Sequence, residues 1–171
     1  ELGVIDGHGS LAEVVSGADL VVIAVPVRAT REVLAQILPS LSSSAVLTDV
    51  GSTKGSFVEA VHEVLGGWPP RVIPGHPIAG SEKSGVGAAR ADLFADHKVI
   101  LTPPADVVPD ALDRLTALWQ GCGATVLTMD VARHDEVLAA TSHLPHLIAF
   151  SLVDTLAGED QNMDIFRYAA G

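Results

Sequence analysis

The run Leu20-Val21-Val22-Ile23-Ala24-Val25-Pro26 carries no polar residue. A strand with one wetted face alternates apolar and polar side chains, so a run without alternation suits a parallel strand covered on both faces. Pro26 marks its end. Ala45-Val46-Leu47-Thr48-Asp49, Arg71-Val72-Ile73-Pro74, Lys98-Val99-Ile100-Leu101-Thr102 and the stretch Ala124 to Met129 read as further strands. Between them apolar residues recur at helical spacing. Val33, Leu34, Ile37, Leu38 and Leu41 form one set closed by Pro39; Phe57, Val58, Val61 and Leu65 form another, ended by Gly66-Gly67. Leu112, Leu115, Leu118 and Trp119 form a third, begun by Pro109 and stopped by Gly121-Cys122-Gly123. Strands separated by helices predict an α/β fold with a parallel sheet and crossover connections.

The two ends differ from this middle. Glu1-Leu2-Gly3-Val4-Ile5-Asp6 has no Gly-rich turn, so a dinucleotide-binding domain here is expected to have its first β-turn-α unit upstream. Ser10-Leu11-Ala12-Glu13 has the spacing of a capping box, and Gly17 ends the short helix it opens. From Asp130 the texture becomes helical, with Val131 to Ala157 expected as one long helix. The expected division is residues 1–129 as a sheet domain and 130–171 as the start of a helical one.

Composition narrows the partners. With 48% hydrophobic residues among 171, the chain can bury a core. A net charge of −11 with ten Lys and Arg argues against nucleic acid, which needs clustered positive charge. The longest apolar run is about eight residues, below the ~20 of a membrane helix, and no membrane partner is expected. Cys122 stands alone, so no internal disulfide forms, which fits a reducing cytoplasm.

Three stretches carry chemistry. In Gly75-His76-Pro77-Ile78-Ala79-Gly80-Ser81-Glu82, His76 follows the apolar segment ending at Pro74, where α/β sheets open ligand crevices beyond strand ends. An imidazole there can move a proton near neutral pH. Val50-Gly51-Ser52-Thr53-Lys54 joins a strand end to a helix start. Its backbone N–H groups, the Ser52 hydroxyl and the Lys54 ammonium suit an anionic or polar ligand, and the same residues also suit an ordinary capped helix. His134-Asp135 and Ser142-His143-Leu144-Pro145-His146 lie on the long helix. Pro145 cannot donate to the Thr141 carbonyl and costs roughly 3 kcal/mol in a helix interior, so a kink is expected beside the histidines. A metal is not expected, since His143 and His146 have no nearby third ligand in sequence.

In order and spacing, Asp49-Val50-Gly51-Ser52-Thr53-Lys54, the His76 stretch, and His134-Asp135 with Ser142 to His146 resemble the prephenate dehydrogenase family, as does Ala24-Val25-Pro26-Val27. The resemblance implies a Rossmann-like parallel-sheet domain lacking its first βα unit, followed by the beginning of an all-helical dimerisation domain. It implies oxidative decarboxylation of prephenate to 4-hydroxyphenylpyruvate with NAD or NADP, in a cytoplasmic homodimer. By analogy His76 is the base for the ring hydroxyl and Ser52 orients it. His146, His143, Ser142, Ser81 and Glu82 bind substrate, while Val25, Pro26, Val50 and Ser52 border the cofactor. Arogenate or dual-specificity enzymes, a hydroxyacid-type dehydrogenase and a non-catalytic binding module are the alternatives. The family's substrate-binding arginine is expected beyond Gly171, and Arg167 does not match its motif. The 171-residue chain alone is therefore expected to be inactive, which an assay of NAD(P)H formation with prephenate checks.

Overall fold

The computed structural model describes residues 3, 5–80 and 85–159, so Ser81, Glu82 and Arg167 lie outside the described residues. The chain forms two compact units, Glu1–His134 and Asp135–Gly171.

In the first unit, α1 (Leu11–Val15) opens on the expected capping box. The Glu13 N–H donates to Ser10 Oγ, and the Ser10 N–H donates back to the Glu13 carboxylate at 2.8 Å. β1 (Leu20–Ile23) pairs in parallel with β2 (Val46–Asp49), with Leu20 opposite Val46 and Ile23 opposite Asp49. α2 (Thr30–Ile37) is the crossover between them. α3 (Lys54–Leu65) leaves the end of β2 and stops at Gly66, whose φ of 73° a residue without Cβ adopts at little cost. β3 (Gly75–Pro77) pairs with β4 (Lys98–Leu101), and β4 pairs in parallel with β5 (Thr125–Thr128) across α4 (Pro109–Gly121).

Two local expectations are corrected. The segment Arg71–Pro74 makes one parallel bridge rather than a regular strand: the Leu47 N–H donates to the Arg71 carbonyl at 3.0 Å and the Ile73 N–H to the Leu47 carbonyl at 2.8 Å. The regular strand begins at Gly75, so His76 sits within a strand and not in a loop after one. That strand also runs antiparallel to β4, with His76 opposite Ile100. Parallel neighbours need a long crossover, usually helical, whereas the described residues between Pro77 and Lys98 contain one 3-10 turn, Val86–Ala88, and no α-helix. The 71–77 backbone thus joins a parallel pair on one side to an antiparallel neighbour on the other.

The core explains why β2 carries no polar alternation. Val46 packs with Ile73, Val99, Leu101, Leu115 and Trp119 on one face, while the next residue, Leu47, packs with Ile23, Leu34, Phe57, Val61 and Val72 on the other. Successive strand residues point to opposite faces, so both faces are covered. β1 departs from the expectation of full burial. Its one strand neighbour among the described residues is β2, and Val22 is exposed.

The helical stretch is interrupted where Pro145 predicted a kink. α5 (Val131–Leu138) gives way to a π turn, Ala139–His143, before α6 (Leu144–Glu159). The Leu144 N–H donates five residues back to the Ala139 carbonyl, just before a residue with no N–H to give. α6 exposes Leu147, Ile148, Phe150, Leu152 and Val153. By length and composition Val131–Gly158 is able to cross a membrane, which the eight-residue apolar run did not suggest. Helices apolar all round also occur inside larger protein bodies.

The tight point of the sheet is Gly75, where an added Cβ would meet the Asp49 carbonyl oxygen at 2.9 Å and Thr48 Oγ1 at 3.1 Å. Since the first of these is backbone, Gly75→Ala has to push β3 away from β2. A loss of about 1–3 kcal/mol is expected in urea unfolding, and an unchanged midpoint would contradict this packing.

Candidate active site

The carboxyl end of β2 is where charge enters the core. Asp49 ends the strand at 4% exposure, and Lys54, in the first turn of α3, is fully buried. Lys54 Nζ donates to both Asp49 oxygens, at 2.6 and 2.5 Å, and to the Gly75 carbonyl at 2.6 Å. The Gly75 N–H in turn donates to Asp49 Oδ1 at 3.1 Å, and the Gly51 N–H to Asp49 Oδ2 at 3.0 Å. Gly75 is thus held at both its N–H and its carbonyl by one ion pair. Burial pushes the Asp49 carboxyl above the usual carboxylate range, while the Lys54 ammonium and the two amide donors pull it back. Lys54 also lies 5.6 Å from the centroid of the Phe57 ring. Of the two roles the sequence left open for this loop, a ligand-facing ammonium and an ordinary helix start, the first does not hold for Lys54: its ammonium bonds Asp49 and Gly75 inside the protein, because a cation buried this deeply has to be paired.

His76 follows the clasped glycine. Its ring is half-buried, and Nδ1 lies 2.9 Å from Nε2 of His134. The rings meet edge to face, with centroids 5.1 Å apart and an interplanar angle of 63°. His134 is fully buried in the first turns of α5, where its N–H donates to the Asp130 carbonyl at 2.8 Å. The sequence by itself assigns His134 no role. Its signal was position, a histidine one turn into the helix that leaves β5.

The other predicted residues fall as follows. Ser52 is exposed in the loop between β2 and α3. Thr53 stands at the N-cap position just before α3 with no side-chain cap bond, and its hydroxyl pairs with that of Ser56 at 2.6 Å. Val25 packs against the core beneath α2 and α3, and Pro26 opens the 3-10 turn Val27–Ala29. Val50 lines an apolar hollow of about 400 Å³ with Val22, Ala24, Pro77, Ala79 and Phe94. In the second unit Ser142 and His143 are half-buried and His146 is exposed, its Nδ1 donating to the Ser142 carbonyl at 2.8 Å. No group of three or more metal-ligating side chains occurs among the described residues.

The sequence matches two family profiles end to end. Residues 1–128 match the one described as prephenate dehydrogenase, nucleotide-binding domain, and 130–171 the one described as prephenate dehydrogenase, dimerization domain. A cyclohexadienyl dehydrogenase of Zymomonas mobilis is 40% identical over 94% of this chain and 55% of its own length. A prephenate dehydrogenase of Bacillus subtilis is 39% identical over 100% of this chain and 47% of its own. The chain spans about half the length of these curated relatives. Among solved structures, prephenate dehydrogenase from A. aeolicus in complex with hydroxyphenyl propionate and NAD+ superposes with a TM-score of 0.87 at 40% identity, covering 99% of this chain and 59% of that one.

The ion pair makes a direct prediction. Lys54→Met leaves a buried carboxylate uncompensated, and a loss of about 3–5 kcal/mol in chemical unfolding is expected. In that variant Asp49 keeps its burial and loses the ammonium, so the folded protein holds a proton that the unfolded chain has released. Stability then falls as pH rises through that window, and the variant should be relatively firmer at pH 5 than at pH 8. Equal loss at both values would show that Asp49 is not the group left behind.

Proposed function

The chain belongs to the prephenate dehydrogenase family, and from that premise we propose that it carries the nucleotide-binding domain, the catalytic histidine and the start of the dimerisation domain of a tyrosine-pathway dehydrogenase. The domains are assigned to residues 1–129 and 130–171. The reaction is oxidative decarboxylation of prephenate to 4-hydroxyphenylpyruvate in a cytoplasmic homodimer. The apolar surface of α6 is then the face that packs inside the dimer rather than in a lipid bilayer.

One observation carries the reading: His76 is fixed on both sides. Its backbone follows a glycine clasped by Asp49 and Lys54, and its Nδ1 is engaged by His134. The base function falls to Nε2. The ring hydroxyl at C4 of prephenate gives its proton to Nε2 as the C4 hydrogen leaves as hydride. Loss of the ring carboxylate as CO2 then returns an electron pair to the ring, and the oxygen regains a proton as the phenol of the product. Base and substrate need only the proton to move between them, so orientation supplies much of the rate.

NAD or NADP, when bound, supplies the hydride acceptor. The residues present fit one side of such a cofactor. The carboxyl ends of β1 and β2 are adjacent through their parallel register, and beyond them lie Val25 and Pro26 on one strand and Val50 and Ser52 on the other. These offer an apolar wall and one hydroxyl. Ser52 is assigned to orient the ring hydroxyl and His76; Ser142, His143 and His146 are assigned to substrate, as are Ser81 and Glu82.

A dual-specificity enzyme acting on arogenate as well is the second reading, favoured by the 40% identity to a cyclohexadienyl dehydrogenase. Assay of the whole protein with prephenate and with arogenate, each with NAD+ and NADP+, separates the two. With the preferred pair, His76→Asn is expected to lower kcat by about 10²–10⁴ with little change in KM. A variant that retains full turnover would remove His76 from the chemistry.

A further inference from the structure

Two imidazoles joined through Nδ1 of one and Nε2 of the other share a single hydrogen, and which ring donates decides what His76 can do. If His134 donates from Nε2, His76 carries its own proton on Nε2 and has no lone pair there to accept another. If His76 donates from Nδ1, its Nε2 keeps the lone pair. From the 2.9 Å contact and the complete burial of His134, we infer that His134 is a positioning residue: it accepts the His76 Nδ1–H and so holds His76 in the tautomer whose Nε2 takes the substrate proton.

This rests on the base role proposed for His76 and deepens it. In the reaction the hydroxyl O–H bond breaks, a new N–H bond forms at His76 Nε2, and the Nδ1–H bond to His134 is kept throughout. His134 needs neither to gain nor to lose a proton. The hydrogen bond then tightens as His76 becomes positive, since a charged donor binds an acceptor more strongly than a neutral one. Because His134 stands on α5 and His76 on β3, the contact also fixes the ring about its side-chain torsions with a partner from a separate element. An acceptor already in place costs no rearrangement when the charge appears.

The test uses the whole protein and two variants, His134→Phe, which keeps a ring and removes the acceptor, and His134→Gln, which restores a carbonyl acceptor. In ¹⁵N-histidine-labelled protein, with the His76 signals identified by their loss in His76→Asn, Nδ1 should read as the protonated nitrogen. His134→Phe should shift the signals toward the Nε2–H form. Its kcat with the preferred substrate should fall by roughly tenfold or more while KM changes little, and His134→Gln should recover most of the loss. If His134→Phe does not fold, the wild-type tautomer and the His134→Gln kinetics still decide. An Nε2–H tautomer in the wild type overturns the inference, as does His134→Phe with wild-type kcat and an unmoved tautomer. Absence of turnover by the wild type on prephenate and arogenate would instead defeat the proposed function, while the tautomer still reports what His134 does.

Discussion

The site depends on a buried ion pair whose two members together hold one glycine residue by its N–H and its carbonyl. Asp49 accepts from the Gly75 N–H, Lys54 donates to the Gly75 carbonyl, and the two side chains bond each other. Burying two charges is expensive, and in many proteins an apolar pair of equal size does as well or better. Here the pair does something an apolar pair cannot. It supplies a directional donor and acceptor to the backbone just where it passes from the parallel bridge of Val72 with Leu47 to the antiparallel pairing of β3 with β4, and so fixes the height of Gly75 beside Asp49. His76 is the next residue, so an error of an ångström in Gly75 becomes an error in the placement of its imidazole.

The same clasp explains the need for glycine at 75. The Asp49 carbonyl and Thr48 hydroxyl come within the space a Cβ would fill. Close approach of β3 to β2 is therefore both the cause of the short bonds to Lys54 and Asp49 and their result. The sheet core supports it from both faces, Phe57 and Val61 on one side and Leu101 and Leu115 on the other.

The regular part of this fold was legible in the sequence because apolar periodicity is local. The strands at Leu20, Val46, Lys98 and Thr125 and the helices at Thr30, Lys54 and Pro109 each declare themselves within their own residues. β3 does not. Gly75-His76-Pro77 has no strand propensity of its own, and it is a strand only because Lys98–Leu101, more than twenty residues on, lies beside it. The sequence leaves the role of Lys54 open for a related reason: a lysine in a loop motif suits a ligand or a helix start equally until the fold brings Gly75 over it. The role of His134 is not legible locally, since its partner lies 58 positions away. The sequence offers composition and spacing; the contacts that orient the His76 ring are long-range.

The most direct measurement is a crystal structure of the whole protein with its nicotinamide cofactor and a 4-hydroxyphenyl product analogue. The analogue's hydroxyl is expected within about 2.6–3.2 Å of His76 Nε2, with Nδ1 still on His134 and Gly75 still clasped. A hydroxyl bound away from His76, or a His76 ring turned so that Nδ1 meets the ligand and His134 is released, would contradict it.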